Sequence, residues 1–347
     1  MKAAVLFECN KPLKIINDIT PPPIERGQVF VELAYSGVCH SQIMEISGGR
    51  GHDPYLPHLL GHEGSGIVRE VGEDVTKVAP GDKVVLGWIK GVGIDSKPPK
   101  YKHGSLMLNA GGVTTFNSHA IVSENRCVKL PKQFPLEIAV LFGCAVPTGA
   151  GMALNEISVS SDQTVAVYGL GGIGIIALMA LKSKGCNNII AVDIQSSKLE
   201  LAKKLGAAHV INALDTDPVI EINAITSGRG VDFAIDAAGR TKTIEQAFMS
   251  LKRGGGICIF ASHPPTGEKL QLDPYDFIIG KNLRGSWGGA SQPDTDTKLY
   301  SEMYLSGKLP IQLLLERKYS LDNINDAIDD LASGQVMRPL IELNSSL

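Results

Sequence analysis

The sequence predicts an α/β protein, a doubly wound parallel sheet joined to a β-rich unit, and three features of the chain support this class. Residues 1–145 hold short apolar runs cut by Gly, Pro and Asp. From residue 146 onward, strand-like and helix-like runs alternate. Early in that alternation a strand runs into Gly169-Leu170-Gly171-Gly172-Ile173-Gly174 and then directly into a helical apolar run. Strands alternating with helices argue for a parallel sheet, whereas closely spaced strands with turn signals argue for a β-rich domain.

Along the chain, 29–34, 66–71, 83–86 and 119–122 read as strands of the first part. Pro21-Pro22-Pro23 marks a turn or extended link, and Gly72-Glu73-Asp74 and Pro80-Gly81-Asp82 are turn signals. Residues 87–115 show little periodicity and read as surface loops; loops of this length often carry function. In the second part 164–168, 188–192, 209–211, 233–236 and 257–261 read as strands. Helical runs at 174–183 and 197–205 separate the first of them. The last stretch holds an amphipathic helix at 324–332 and a strand at 339–343. There is no internal repeat and no low-complexity segment.

The bulk composition bounds the function classes. At about 150 residues per domain, 347 residues predict two domains. A net charge of −3 gives no basic excess for nucleic acid or an anionic membrane. The N-terminal apolar run is too short for a signal peptide and is broken by Glu8. The longest apolar stretch, at 173–181, falls short of the ~20 residues that span a bilayer. A soluble, cytoplasmic protein is expected. The six cysteines have no regular close spacing, so a disulfide framework is not expected. Cys9, Cys127, Cys186 and Cys258 read as small buried hydrophobes.

The glycine segment has the form of a dinucleotide site. Gly169 permits the tight turn, Gly171 lets the backbone approach a pyrophosphate, and Gly174 lets the helix pack close on the strand. The helix N-terminus then presents free N–H groups and a positive dipole end to phosphate. The following strand ends on Asp193, whose carboxylate can accept hydrogen bonds from the adenosine ribose. A carboxylate there repels a 2′-phosphate, and Ile194 supplies no cation for one, so NAD is favoured over NADP.

A second constellation is discontinuous: Cys39 in Gly37-Val38-Cys39-His40-Ser41, His62 and Glu63 in Gly61-His62-Glu63-Gly64, and Cys144 in Phe142-Gly143-Cys144-Ala145. Two thiolates and an imidazole suit zinc, and three protein ligands leave a position open for chemistry. Taken singly these residues are unremarkable, and no local CxxC or HxxxH confirms them. Their spacing alone leaves a metal site and ordinary core residues both open.

The wider context of these residues resembles the zinc-containing medium-chain alcohol dehydrogenases. The matching stretches are Gly37 to Ser41, Gly61 to Val68, Val78 to Val84 with its Gly-Asp-Lys-Val, Gly143 to Gly151, Gly169 to Gly174, Asp193, Lys198, and Ser333 to Arg338. They run in order over nearly the whole chain. The resemblance implies a GroES-like catalytic domain over 1–145, completed by 288–347, and a Rossmann NAD-binding domain over 146–287. It implies one catalytic zinc on Cys39, His62 and Cys144, with Glu63 beside the metal as a support or transient ligand. It implies that Ser41 takes the alcohol proton and that His40 and Arg338 meet the cofactor pyrophosphate. Thr148 would pack near the nicotinamide, Lys198 near the adenosine ribose, and Leu170 and Gly172 within the phosphate loop. Trp88 would wall the substrate pocket, although it reads equally as a core aromatic. Relatives are dimers or tetramers, so a homo-oligomer acting on a small alcohol or aldehyde is expected.

The chain departs from that pattern in three ways. No Cys lies between 39 and 127, so a four-cysteine structural zinc lobe cannot form in its usual way. The relay histidine of relatives is Met44 here, and His52 reads first as a solvated loop residue. The acid that often orients the zinc-bound histidine is Gln42, an amide that can hydrogen-bond but carries no charge. Rival readings are a zinc-free quinone or enoyl reductase, a polyol, sugar or secondary-alcohol dehydrogenase, and a non-enzymatic scaffold. Polyol enzymes often carry Glu where Cys144 stands, which tilts the expectation toward primary or aromatic alcohols.

Overall fold

The computed structural model describes residues 1–262 and 264–347. By internal contacts the chain divides into two units. The first comprises Met1–Cys144, Gln292–Glu302 and Ile311–Leu347; the second comprises Ala145–Ser291 and Met303–Pro310.

The first unit opens with β1 (Ala3–Leu6) and β2 (Lys14–Ile16), followed by β3 (Gln28–Gly37), α1 (His40–Ile46), β4 (His58–Leu59), β5 (Glu63–Val71) and β6 (Lys83–Gly87). β7 (Tyr101–His103), β8 (Leu106–Leu108), β9 (His119–Ser123), β10 (Cys127–Lys129) and α2 (Leu136–Ala139) complete its N-terminal part. β2, β1 and β4 form a small sheet, and a larger sheet runs β10-β6-β5-β3 with β9 also paired to β3. Val29, Val31 and Leu33 of β3 alternate toward a core shared with Val68, Val84, Leu86 and Val122. The β3–β5 ladder shifts register between Phe30 and Val31 and between Leu33 and Tyr35. Such bulges bend a strand and re-aim the residues beyond the bend. The ladder ends by pairing Ser36 with Gly64, so the chain leaving β3 and the chain entering β5 lie side by side.

Residues 87–115 are more than the surface loops their sequence predicts. They contain the β7–β8 hairpin, and Tyr101 and Leu108 are fully buried with Val5, Ile19 and Leu59. The Tyr101 hydroxyl accepts the Ile121 N–H at 3.0 Å. Three-residue strands are too short to print a period, which is why the hairpin is silent in sequence.

The second unit begins with α3 (Ala145–Gly151). It continues β11 (Thr164–Tyr168), α4 (Gly172–Ser183), β12 (Asn188–Asp193), α5 (Ser196–Lys204), β13 (His209–Asn212), α6 (Pro218–Ile225), β14 (Phe233–Asp236), α7 (Thr241–Met249), β15 (Ile257–Phe260), α8 (Pro274–Ile278) and β16 (Asn282–Gly285). The six strands form one parallel sheet in the order β13-β12-β11-β14-β15-β16. The order reverses at β11, the point where nucleotides bind in doubly wound sheets. β11 is fully buried and rich in Val, as a strand covered on both faces should be.

The chain then returns through α9 (Pro293–Leu305), β17 (Lys318–Ser320), α10 (Ile324–Ala332) and β18 (Leu340–Glu342). β18 joins the large sheet of the first unit, pairing Leu340 with Gly37. That register carries Arg338 to the same end of β3 as Cys39. Among the described residues no single helix is long and apolar enough to cross a membrane. The bent pair Leu136–Gly143 and Ala145–Glu156 qualifies by length and composition alone and is largely buried.

Candidate active site

Strand pairing assembles the cluster. Cys39 is the N-cap of α1, two residues beyond the end of β3, and His62 directly precedes β5. β6 pairs Glu63 with Gly87, and the next N–H, that of Trp88, donates to Gly143 O at 3.3 Å, which brings in Cys144. Close approach demands glycine here. A Cβ on Gly143 would meet Leu86 O at 2.4 Å, and one on Gly37 would meet the Glu63 carboxylate at 2.5 Å. The ligand atoms of Cys39, His62 and Cys144 lie within 4.8 Å of one another. Among the described residues this is the one such group of His, Cys, Asp or Glu.

The donor set fits a zinc ion. The separations suit a tetrahedral centre with bonds of about 2.0–2.3 Å. His62 Nε2 is buried with no hydrogen-bond partner, which is costly unless a ligand such as a metal ion partners it. A hydrogen bond from the Cys144 thiol holds Cys39 well below the ordinary thiol range; burial opposes this, and the Arg338 guanidinium and His62 assist it. Cys144, the donor of that bond and itself buried, is pushed well above the range.

Glu63 and Arg338 form a fully internal ion pair behind the sulfurs. Arg338 Nη1 donates to Glu63 Oε1 at 2.7 Å, with side-chain exposures of 4 % and 0 %. Burial works against the guanidinium charge, yet Glu63 and the two sulfurs hold it protonated above its usual range. The sequence contained no local sign of this pair, because its members stand 275 residues apart. Gln42 is also buried and touches His62 Nδ1 through its amide nitrogen, while Ser41 Oγ lies 3.4 Å from the same ring atom. His40 is exposed, and Trp88 and Met44 are half-buried. His52 is exposed, as a solvated loop residue should be.

The second unit carries the glycine segment at the carboxyl end of β11. Gly171 is the N-cap of α4, and a Cβ built on it would meet nothing within 4 Å, so open space lies in front of the helix N-terminus. A Cβ on Gly174 would strike Gly169 O at 1.8 Å, so close helix–turn packing requires glycine there. Asp193 ends β12 and accepts three backbone amides: Leu170 N–H at 2.6 Å, Ile194 N–H at 2.8 Å and Gln195 N–H at 2.9 Å. The first of these ties the glycine segment to the acid. Lys198 is half-buried on α5, and Thr148 is buried in α3.

Comparison with known proteins places both units in one family. Residues 25–132 match the alcohol dehydrogenase GroES-like domain, and residues 172–303 match the zinc-binding dehydrogenase family. An alcohol dehydrogenase zinc-binding domain protein from Burkholderia ambifaria superposes with a TM-score of 0.90 at 30 % identity, over 98 % of each chain. The benzyl alcohol dehydrogenase of Acinetobacter calcoaceticus is 31 % identical over 98 % of each chain, with a TM-score of 0.89. The alcohol dehydrogenase of the archaeon Aeropyrum pernix is 29 % identical over 99 % of this chain and 100 % of its own, with a TM-score of 0.81. The chain belongs to the zinc-binding medium-chain alcohol dehydrogenase family. This dehydrogenase therefore combines a GroES-like unit, a Rossmann-like unit and a Cys-His-Cys site of the catalytic kind. The rival of a zinc-free reductase loses its main support, since such an enzyme has no need of this donor set.

Proposed function

We propose that this dehydrogenase oxidises primary or aromatic alcohols to aldehydes, and reduces them back, with NAD as the hydride carrier. The observation that carries the reading is the Cys39–His62–Cys144 cluster, with His62 Nε2 buried and unpartnered. Cys144, rather than a carboxylate, and the likeness to a benzyl alcohol dehydrogenase support simple alcohols over polyols.

Zinc, held by Cys39, His62 and Cys144, would supply a Lewis acid that polarises the substrate oxygen and lowers the alcohol's pKa. NAD would supply the acceptor for the hydride. The residues of the chain do the rest. Ser41 Oγ takes the alcohol proton. Met44 has no group to pass it on, so the proton would leave Ser41 to solvent. Glu63 and Arg338 back the thiolates with a net-neutral pair, which keeps a second uncompensated charge away from them. Trp88 walls the substrate pocket and helps exclude water.

In the nucleotide unit, the α4 N-terminus and Gly169, Leu170, Gly171, Gly172 and Gly174 would take the pyrophosphate; His40 and Arg338 of the first unit are proposed as its further contacts. Asp193 takes the adenosine ribose hydroxyls, with Lys198 beside them, and Thr148 packs near the nicotinamide. The working form is a homodimer or homotetramer.

The test is a panel of alcohols and aldehydes with NAD(H), run on wild type and Cys39→Ser, together with zinc analysis of both. The expected outcome is one zinc per chain in wild type and a loss of activity of at least ~10³-fold in the variant. Equal activity in the two proteins would overturn the reading.

A further inference from the structure

Gln42 meets His62 with a hydrogen-bond polarity opposite to what a metal ligand needs. Its Oε1 accepts the Cys39 N–H at 3.1 Å, as part of the cap of α1. A backbone N–H can only donate, so the two ends of this amide cannot be exchanged. The amino group Nε2 is thereby left against His62 Nδ1, where it donates. A ring nitrogen that accepts carries no proton. A neutral His62 then carries its proton on Nε2, the buried atom with no partner. A metal requires the lone pair of that same atom. In the neutral ligating form the proton sits on Nδ1, where it would face the Gln42 amino group, donor against donor.

We propose that Gln42 is a positioning residue that holds metal-free His62 in the Nε2–H form, so that metal capture is coupled to a change of tautomer. The Nε2 proton leaves to solvent and another enters at Nδ1. Gln42 then turns its amino group aside, and the Ser41 hydroxyl, 3.4 Å from Nδ1 and able to accept as well as donate, becomes the partner of Nδ1–H. Zinc is held less tightly than it would be with a carboxylate at position 42. Glutamate there keeps one oxygen for the Cys39 N–H and offers the other to Nδ1–H. The inference rests on the reading of His62 as a zinc ligand.

Two measurements on the full chain test it. Long-range proton–nitrogen spectra of the histidines, with His62 assigned by its loss in His62→Gln, read the tautomer without metal. Wild type is expected to show Nε2–H and Gln42→Glu Nδ1–H; Nδ1–H in metal-free wild type overturns the proposal. Zinc affinity is then measured against a chromophoric chelator. Gln42→Glu is expected to bind roughly 10–100-fold more tightly than wild type. Gln42→Leu, with neither donor nor acceptor, should fall between them. Equal affinity in wild type and Gln42→Glu overturns the proposal. Absence of zinc from every variant defeats the zinc reading itself, whereas a uniform but measurable affinity defeats only the role of Gln42.

Discussion

The metal cluster and the loop spanning residues 87–115 both lie in the first unit, and each fixes irregular backbone around a buried glutamate by a different means. Glu63 at the cluster is neutralised by a guanidinium and sits beside soft ligands. Glu124, 2 % exposed, accepts only dipoles: the N–H groups of Thr76 at 2.7 Å, Lys77 at 2.9 Å and Ile94 at 2.9 Å. It thereby ties the turn after β5 to the loop after β6. Asp294 adds a second tie, accepting the Val92 N–H at 2.6 Å and pairing with Lys77. No cysteine stands in this loop, and a carboxylate with its amides organises it. The two regions should therefore fail in different ways. A charge pair fails when one charge is removed, and a carboxylate–amide cage fails when the carboxylate is protonated.

The largest expected effect is on the charge pair. Arg338→Met removes the guanidinium that neutralises Glu63 in the interior, which should cost about 3–5 kcal/mol in chemical denaturation. The double variant Arg338→Met/Glu63→Met should recover most of that loss. If the double variant is as unstable as the single, the pair does not act as a unit and the contrast with Glu124 is lost.

A third buried carboxyl extends the contrast, because it is only half compensated. Asp236 Oδ2 accepts the Gly239 N–H at 2.9 Å, while Oδ1 is buried without a partner. Burial pushes its pKa up to about 6, against the pull of the nearby amides. The folded state therefore favours the protonated form. The stability it contributes is full below the unfolded value near 4 and is lost as pH rises through about 6. The loss amounts to about 3 kcal/mol by neutral pH. Denaturation of wild type and Asp236→Asn between pH 4 and 7.5 should show this slope in wild type and its absence in the variant.

Glu124 should behave with the opposite sign and a somewhat smaller effect. Burial would raise its pKa, but the amides of Ile94, Thr76 and Lys77 hold it below the usual carboxylate range. Its stabilisation is present above about pH 4.5 and is lost as pH falls through the lowered value. Glu124→Gln should cost about 2–3 kcal/mol at neutral pH, since an amide offers one acceptor oxygen where the carboxylate offers two. Faster hydrogen exchange at Thr76, Lys77 and Ile94 would locate the loss. The smallest effect is expected at Trp88: Trp88→Ala should raise the KM for an aromatic alcohol a few-fold and change kcat less. A kcat loss that matches Cys39→Ser would move Trp88 out of the pocket wall.

Sequence legibility tracked the distance over which each feature is built. The β11–α4–β12 segment was legible because strand, glycines, helix and Asp193 are contiguous and each leaves a local mark. The helix starts at Gly172 rather than 174, and β12 ends on Asp193 as the motif requires. The metal ligands were legible only through their flanking motifs, because β-pairing between β3, β5 and β6 brings them together and sequence spacing does not express that pairing. Arg338 could be placed at the site by resemblance, but not on Glu63 specifically. Gln42 was visible as a missing charge. Its polarity was not, because that depends on the Cys39 N–H occupying one end of the amide. The Glu124 cage left no mark at all, since backbone amides are identical in every sequence.

Cys39 is at once a candidate ligand and the residue that caps a helix, and α1 lays Ile43 and Ile46 against the core that holds Ile328 and Leu331 of α10. A metal on its sulfur would tether the start of a secondary-structure element as well as a reactive centre. Loss of the ion should therefore reach along α1 as accelerated amide exchange while the cage around Glu124 stays quiet. The occupancy of the centre could then be read at Ile43 and Ile46, along the helix from the residues that meet substrate.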